Sequence, residues 1–285
     1  MKINVFRKIR NKINLVKLYR KHQTVLDKNK FLKDSQAGKR CFVLGNGPSL
    51  RNQDLVKLKD EHTFVTNTFW LHPQYKEINP KYYIIVDDEV FDAPDGQGEG
   101  WTDELIKHSA LINSLPTKLF FHINGKKTVK NNDLFPSQEI YYLAFAGFFK
   151  ENLRFNIDLS RILPYPKNVI VATLITASYM GFEEIYLLGC DHSELAVPSQ
   201  QYYEGFKHFH KNMEYDTNDP EQIKKYALDI FSYETHMYHY QTLFRNYRLL
   251  KEKLKKERSA VKIFNATPNS FLDVFPFVNF EDIKI

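Results

Sequence analysis

The run Cys41-Phe42-Val43-Leu44 leads directly into Gly45-Asn46-Gly47-Pro48-Ser49-Leu50. Four apolar residues that stop at a glycine-bounded turn read as a buried strand ending in a tight loop. Glycine has no Cβ and tolerates positive φ, so such a loop lets backbone N–H groups approach a phosphate. The segment therefore points to a nucleotide or sugar-nucleotide site near residue 45; the plainer alternative is a structural turn. It has neither the spacing of a dinucleotide fingerprint nor the Gly-Lys-Ser/Thr of a P-loop.

The rest of the chain alternates between strand-like and helix-like stretches. Strands are expected at Phe42–Leu44, Thr63–Asn67, Tyr82–Val86, Lys118–His122, Glu184–Gly189 and Val261–Asn265. Helices are expected at Asp54–Lys59, Val169–Met180 and about Lys224–Lys256, with a loop at Asp92–Gly100. This alternation implies an α/β fold, a mostly parallel sheet with helices on both faces. Ligands in such sheets bind beyond the carboxyl ends of the strands. Asn46 and Ser49, Asn67, Asp87 and Asp88, and Asp191 and His192 all follow expected strands. Residues 192–223 are polar and aromatic and carry few helix or strand signals, which reads as an active-site lid.

At 285 residues the chain has room for one large domain with a lid, and 43% hydrophobic content suits a globular core. Its two cysteines, Cys41 and Cys190, sit in apolar runs and read as buried thiols in a reducing cytoplasm. No run reaches transmembrane length, and no signal peptide is expected. The net charge of +6 is concentrated at the start of the chain, where Met1–Arg40 holds many Lys and Arg and only two Asp. Within it Ile3, Val5, Phe6, Ile9, Ile13, Leu15, Val16 and Leu18 form a rough helical stripe. Residues 1–39 thus read as a basic amphipathic segment ahead of a domain at 40–285. That segment either docks on the domain or lies at an anionic membrane surface, making the protein cytoplasmic or peripheral to the inner face of the membrane. No nucleic-acid motif follows the basic stretch, so no nucleic-acid partner is expected. A homo-oligomer stays open.

Four segments together carry a family resemblance. They are Val43–Leu50, Val65-Thr66-Asn67, Met180–Asp191 and Lys262–Ser270. Their order and spacing resemble the bacterial sialyltransferases of glycosyltransferase family 42. They also resemble the related motility-accessory-factor glycosyltransferases and the hydroxymethylpterin pyrophosphokinase-like domain. The resemblance implies a modified Rossmann-like fold, a CMP-activated nonulosonic acid as donor, a glycan or glycolipid acceptor and an inverting, metal-independent reaction. By motif, Gly45, Asn46, Gly47 and Ser49 would hold the CMP phosphate and ribose, and Asn67 would contact the donor. Asp87 stands where those enzymes have an asparagine, so its carboxylate must be protonated, paired or turned to the ribose hydroxyls. Asn168-Val169-Ile170 replaces Thr-Ser-Gly at a helix start, yet Asn168 is a competent cap over free N–H groups. Ser193 replaces the first phosphate-supporting tyrosine, and Tyr202 or Tyr203 supplies the second. Thr267, Asn269 and Ser270 match a segment beside the donor, where they would reach the cytidine or merely form a turn.

Transfer also needs a base for the acceptor hydroxyl, and histidine suits it. The candidates are His236, His239 and His192. The bland alternative for the first two is the edge of a helix face, since Tyr226, Ile230, Tyr233, Met237, Tyr240, Phe244 and Tyr247 repeat four-three. Asp191 would orient His192 or a substrate hydroxyl, or cap a turn. Asp87-Asp88-Glu89 keeps a second class open: a glycosyltransferase holding Mg²⁺ or Mn²⁺ on another nucleotide sugar. The acidic cluster would equally serve a pterin-type pyrophosphokinase that uses ATP and Mg²⁺. A non-catalytic partner of a glycan pathway would keep the nucleotide site without turnover. On the first reading no metal and no cofactor are needed.

Overall fold

The computed structural model describes residues 16–87, 90–91, 101–151, 155–196 and 233–285. Eight strands form one sheet: β1 (Arg40–Leu44), β2 (Thr63–Thr66), β3 (Tyr82–Ile85), β4 (Lys118–His122), β5 (Ile140–Phe148), β6 (Ile162–Tyr165), β7 (Glu184–Leu188) and β8 (Lys262–Asn265). Their order is β6-β5-β4-β3-β2-β1-β7-β8, and every paired strand runs parallel to its neighbour. The helices are α1 (residues 16–27), α2 (Tyr75–Ile78), α3 (Trp101–Asn113), α4 (Gly125–Asn131), α5 (Val169–Met180) and α6 (Tyr233–Glu257). The fold is α/β and Rossmann-like.

Both faces of a parallel sheet are covered, so its central strands are continuously apolar rather than alternating. In β1, Cys41 and Val43 face one layer and Phe42 and Leu44 the other, and none of the four is exposed. From β1 to β5 the chain steps in one direction, and its connections, α3 and α4 included, pack on the Phe42 face. After β5 it adds β6 at the edge and then returns to the far side of β1. The helices that lead into β7 and β8, α5 and α6, pack on the Cys41 face. A reversal of direction demands a change of face, because β-crossover-β connections are right-handed.

All twelve residues of α5 are buried. The helix is apolar all round because it lies between β1–β3 and α6. Asn168 caps its start, accepting from Val171 N at 3.1 Å, and Gly181 ends it in the left-handed region at φ 91°. A Cβ on Gly181 would meet Asp34 Cα at 3.0 Å, so this turn is also a point of close chain approach. The segment after α1 is bound to the same body. The buried Asn29 amide donates to Tyr142 O at 2.8 Å and Leu159 O at 2.7 Å, while Gln36 N donates to Met180 O at 2.7 Å.

Several expectations need adjusting. Asp54–Lys59 is a 3-10 turn, Leu55–Leu58, with the Asp54 side chain as its cap. On α6 the buried positions are His236, Leu243, Asn246, Tyr247, Leu250 and Leu254, whereas Tyr233 and Met237 are 46% and 49% exposed. The core stripe is thus rotated from the expected one, and His236 belongs to it rather than flanking it. Residues 1–15, Asp88, Glu89, the 92–100 loop, and 197–232, which hold most of the expected lid, Tyr202, Tyr203 and the expected helix start, lie outside the described residues. Among the described residues no helix is long and apolar enough to cross a membrane.

Candidate active site

The chain leaves β1 toward β2 and comes back to β1 through β7, so the strand order reverses between β1 and β7. A crevice forms at such a switch point, outside the carboxyl ends of the two strands. Here it is a cavity of about 430 Å³ lined by Gly45, Asn46, Gly47, Asn67, Asp87, Asn168, Asp191 and His192, with Trp70 and Tyr240 among the aromatic walls. Eight of the residues expected from sequence are therefore together.

The two loops over β1 and β7 are fastened to each other. Gly45 N donates to Leu188 O at 2.8 Å and Gly47 N to Gly189 O at 2.9 Å. The Asp191 carboxylate accepts from Ser49 N at 3.1 Å and Ser49 Oγ at 2.8 Å. These contacts explain the glycines. A Cβ on Gly45 would sit 2.4 Å from Gly189 O, and one on Gly47 would sit 1.8 Å from Asp191 Oδ2. Gly47 has φ −66° and ψ 152°, a conformation open to any residue, so its need is for space and not for positive φ.

Asn67 does adopt the left-handed region, at φ 46°. Its carbonyl accepts from Tyr83 Oη at 2.6 Å, and its Nδ2 donates to Asp87 Oδ2 at 2.9 Å. The Asp87 carboxylate is thus paired with an amide donor. Asn46 Nδ2 donates to Thr66 O at 3.2 Å, tying the loop after β1 to the end of β2.

At the opposite wall, Val169 and Ile170 bring the start of α5 to the cavity. The first N–H groups of a helix are left without intrahelical partners and carry partial positive charge. Asn168 Nδ2 donates to the hydroxyl of Tyr247, from α6, at 3.1 Å. The same hydroxyl meets His192 Nε2 at 3.0 Å. His192 stands edge-on to Tyr240 and Phe244, with Tyr247 tilted against it. Burial in this aromatic wall lowers its pKa to about 4, so the ring is neutral near pH 7. Among the described lining residues none is Lys or Arg, and Asp87 and Asp191 supply carboxylates.

The remaining expected residues lie off the cavity. Thr267 Oγ1 accepts from Cys190 N at 3.1 Å, and Ser270 Oγ donates to Cys190 O at 2.6 Å, so both hydroxyls brace the loop after β7. Asn269 is exposed, in the left-handed region at φ 54°. Ser49 faces Asp191. His236 and His239 sit in the first turns of α6, away from the lining, and burial lowers the pKa of each. Burial also raises the Cys190 thiol well above its ordinary value, which suits a packed residue and not a nucleophile. Sequence reasoning placed Tyr247 on a packing face and passed over Trp70. The hydroxyl of a tyrosine inside an apolar stripe is the one signal that would have marked Tyr247, because buried Tyr Oη needs a partner.

No family model matches the chain, and no curated protein matches it. Among solved structures the fold is similar to that of the MAf glycosyltransferase from Magnetospirillum magneticum AMB-1, with a TM-score of 0.51 at 14% sequence identity. The match covers 94% of this chain and 39% of that one, so this chain spans about two fifths of that neighbour's length. At that identity the likeness is one of fold, and it takes in nearly the whole of the present chain.

Proposed function

We propose that this chain is a glycosyltransferase that moves a nonulosonic, sialic-acid-like sugar from a CMP-activated donor to a cell-surface glycan acceptor with inversion. One observation carries the reading: the α5 N-terminus opens onto the switch-point cavity, and no Lys or Arg is among the cavity's described lining residues. A helix N-terminus carries roughly half a positive charge, which matches the single phosphate of a CMP-sugar. The glycosyltransferase fold of the structural neighbour agrees with it.

In the reaction the acceptor oxygen attacks the anomeric carbon from the face opposite the phosphate. The bond from that carbon to the phosphate oxygen breaks, and its electron pair leaves with CMP. Free N–H groups of α5 would face the charge that grows on the phosphate. The acceptor proton goes to a base, for which His192, His236 and His239 are the candidates. Residues 1–40 would hold the enzyme near anionic lipid, where lipid-linked acceptors are found.

A second reading draws on Asp87, which lines the cavity and begins Asp87-Asp88-Glu89. It is a metal-dependent transferase or pyrophosphokinase, with Asp87 among the groups that would hold Mg²⁺ or Mn²⁺. Calorimetry and thermal shift with CMP, CDP, UDP, GDP and ATP, each with and without the metals, separates the two. Metal-independent preference for CMP or CDP supports the first and leads to turnover assays with CMP-nonulosonates. Metal-dependent preference for UDP, GDP or ATP overturns it. Binding without turnover of any donor assigns the chain to a non-catalytic role.

A further inference from the structure

Charge is arranged differently at the two edges of the parallel sheet. At the amino edge Arg40 pairs with Glu61, Arg258 with Asp34, and Lys118 with Glu139 at 2.8 Å. At the carboxyl edge, which carries the cavity, Lys126 and Lys127 stand in the first turn of α4, just past the end of β4, and Lys150 just past the end of β5. α1 brings Lys17 and Lys21 to the same edge, because it runs against the strands. Lys28, beyond the end of α1, donates to Ile140 O at the start of β5 at 2.9 Å, while Leu26 packs with Ala144 and with Ile123, past the end of β4. At 1.5 Å per residue, Lys21 and Lys17 lie about 8 and 14 Å farther in that direction. All five lysines are exposed, and none has a carboxylate partner among the described residues. Burial lowers the pKa of His22, and the charges of Lys21, Lys126 and His122 push it the same way. Like charge gathered in this way opposes folding unless an anion answers it.

The same edge exposes large apolar side chains. Phe148, the last residue of β5, is 67% exposed. On α6, Tyr240 and Leu243 line the cavity, and the exposed Met237 and Tyr238 lie in the turns beyond them. Tyr247 is level with the start of α5 through its bond to Asn168, so Tyr238 stands about 14 Å above that level at 1.5 Å per residue. Among the carboxylates at this edge, Glu151 is held by Arg248, Asp191 by Ser49 and Asp87 by Asn67, and Glu234 is exposed on α6. Residues 1–15, outside the described ones, hold Lys2, Arg7, Lys8, Arg10 and Lys12 and no Asp or Glu; the chain joins the body at Val16, on this edge. A bilayer of anionic lipid answers both features: its phosphates take the charge, and its headgroup layer takes the rings. A nucleic acid would answer the charge and leave Phe148 and Met237 in water. We propose that the carboxyl edge of the sheet docks on an anionic membrane surface, with the lysines of α1 and α4 on lipid phosphates and with Phe148 and Tyr238 in the headgroup layer. What this orientation serves rests on the glycosyltransferase reading: it would present the cavity to a lipid-linked acceptor.

The test uses the full-length chain and vesicles of phosphatidylcholine, with and without one third phosphatidylglycerol. Co-sedimentation should show binding to the anionic vesicles only, with release in 0.5 M salt. Lys126→Gln combined with Lys127→Gln should weaken that binding about 20-fold. Both native cysteines are buried, so an environment-sensitive dye can be placed on Phe148→Cys, on Tyr238→Cys, and on Lys262→Cys at the opposite edge. On anionic vesicles the dye at 148 and at 238 should brighten and shift to the blue, while the dye at 262 stays as in water. No binding to anionic vesicles overturns the proposal, and so does equal binding to neutral ones. Binding with the dyes at 148 and 238 silent, or with the dye at 262 responding, overturns the assigned face. A 20-nucleotide RNA that binds the protein while vesicles do not assigns the lysines to nucleic acid and overturns it as well. Vesicle binding needs no nucleotide, so the docking face stands if CMP does not bind, and CMP binding stands if the vesicles are ignored.

Discussion

Gly47 and Asp191 compete for one volume: a Cβ on Gly47 would lie 1.8 Å from Asp191 Oδ2 and 2.7 Å from Gly189 O. Two loops that follow strands far apart in sequence are thereby pressed together, and Ser49 fastens them by bonding to the same carboxylate. Gly47→Ala should cost about 2 kcal/mol or more of stability by overpacking. Asp191→Ala in the Gly47→Ala background should return part of that loss, because one of the two clashes goes. Denaturant melts of the single and double variants measure the coupling; strict additivity would show that the loops do not touch as described.

Asn168 separates capping from cavity charge. Asn168→Ala removes the acceptor for Val171 N and should cost about 1 kcal/mol. Asn168→Asp keeps a good cap and so most of the stability. It also sets a carboxylate at the cavity-facing start of α5, where the proposed CMP phosphate would lie, so its affinity for CMP should drop below that of Asn168→Ala. Paired denaturation and calorimetry give both quantities for each variant.

Burial lowers the pKa of both His72 and His192 to about 4, against 6.5 for an unperturbed histidine. The unfolded chain therefore binds more protons between those values. Stability from these groups is complete above about pH 6.5 and is lost as pH falls toward 4. Denaturation followed from pH 7.5 to 4.5 should show this decline. His72→Gln, which lies off the cavity lining, should flatten it.

Asn29 sits at 0% exposure with its amide shared between Tyr142 O and Leu159 O. Asn29→Ala would leave two carbonyls without this donor and should destabilise the protein by about 2 kcal/mol. Limited proteolysis should then cut within residues 16–37 sooner than in the wild type. Equal cutting rates would mean the segment is held by something else.

Asp87→Asn distinguishes the two donor classes at a single atom. It removes a negative charge from the cavity, so metal-free CMP affinity should hold or rise. A metal-dependent nucleotide would instead lose binding with the carboxylate. Calorimetry of both nucleotide types on the one variant reads the difference.

Much of this fold is legible from the apolar runs. β4 and α5 have the bounds that the sequence gives them, and β1 to β3, β7 and β8 differ by a residue or two. β1 to β4 are buried almost throughout on both faces, so hydrophobic length alone was enough to see them, while β7 and β8 keep a buried residue at alternate positions. β5 is a long aromatic and aliphatic run, Ile140–Phe148, and carries a strand signal of its own beyond the strands expected above. β6 was harder, because Pro164 argues against a strand unless that strand is at an edge, where β6 lies. In the site, residue type did not reveal direction. Ser49, Thr267 and Ser270 are polar residues in the right loops, yet their hydroxyls turn to the protein's own backbone and carboxylate. Gly45 and Gly47 likewise serve another loop, a partner that lies more than 140 residues away in sequence and carries no local signal. Tyr247 belongs to both the expected and the observed stripe of α6, and its hydroxyl went unmarked for the same reason: periodicity finds a face, and only the packed helices show that this member bonds to Asn168 and His192.

A helix that is buried on every side and also lends its first turn to the cavity wall leaves little freedom behind anything bound there. Any change in α5 would have to be absorbed by β1 to β3 on one side and α6 on the other. Such a wall acts as a fixed datum. New donors or acceptors would be accommodated from above, through the loops at the rim, and evolution of specificity in this scaffold should leave its signature there while the α5 sequence stays still.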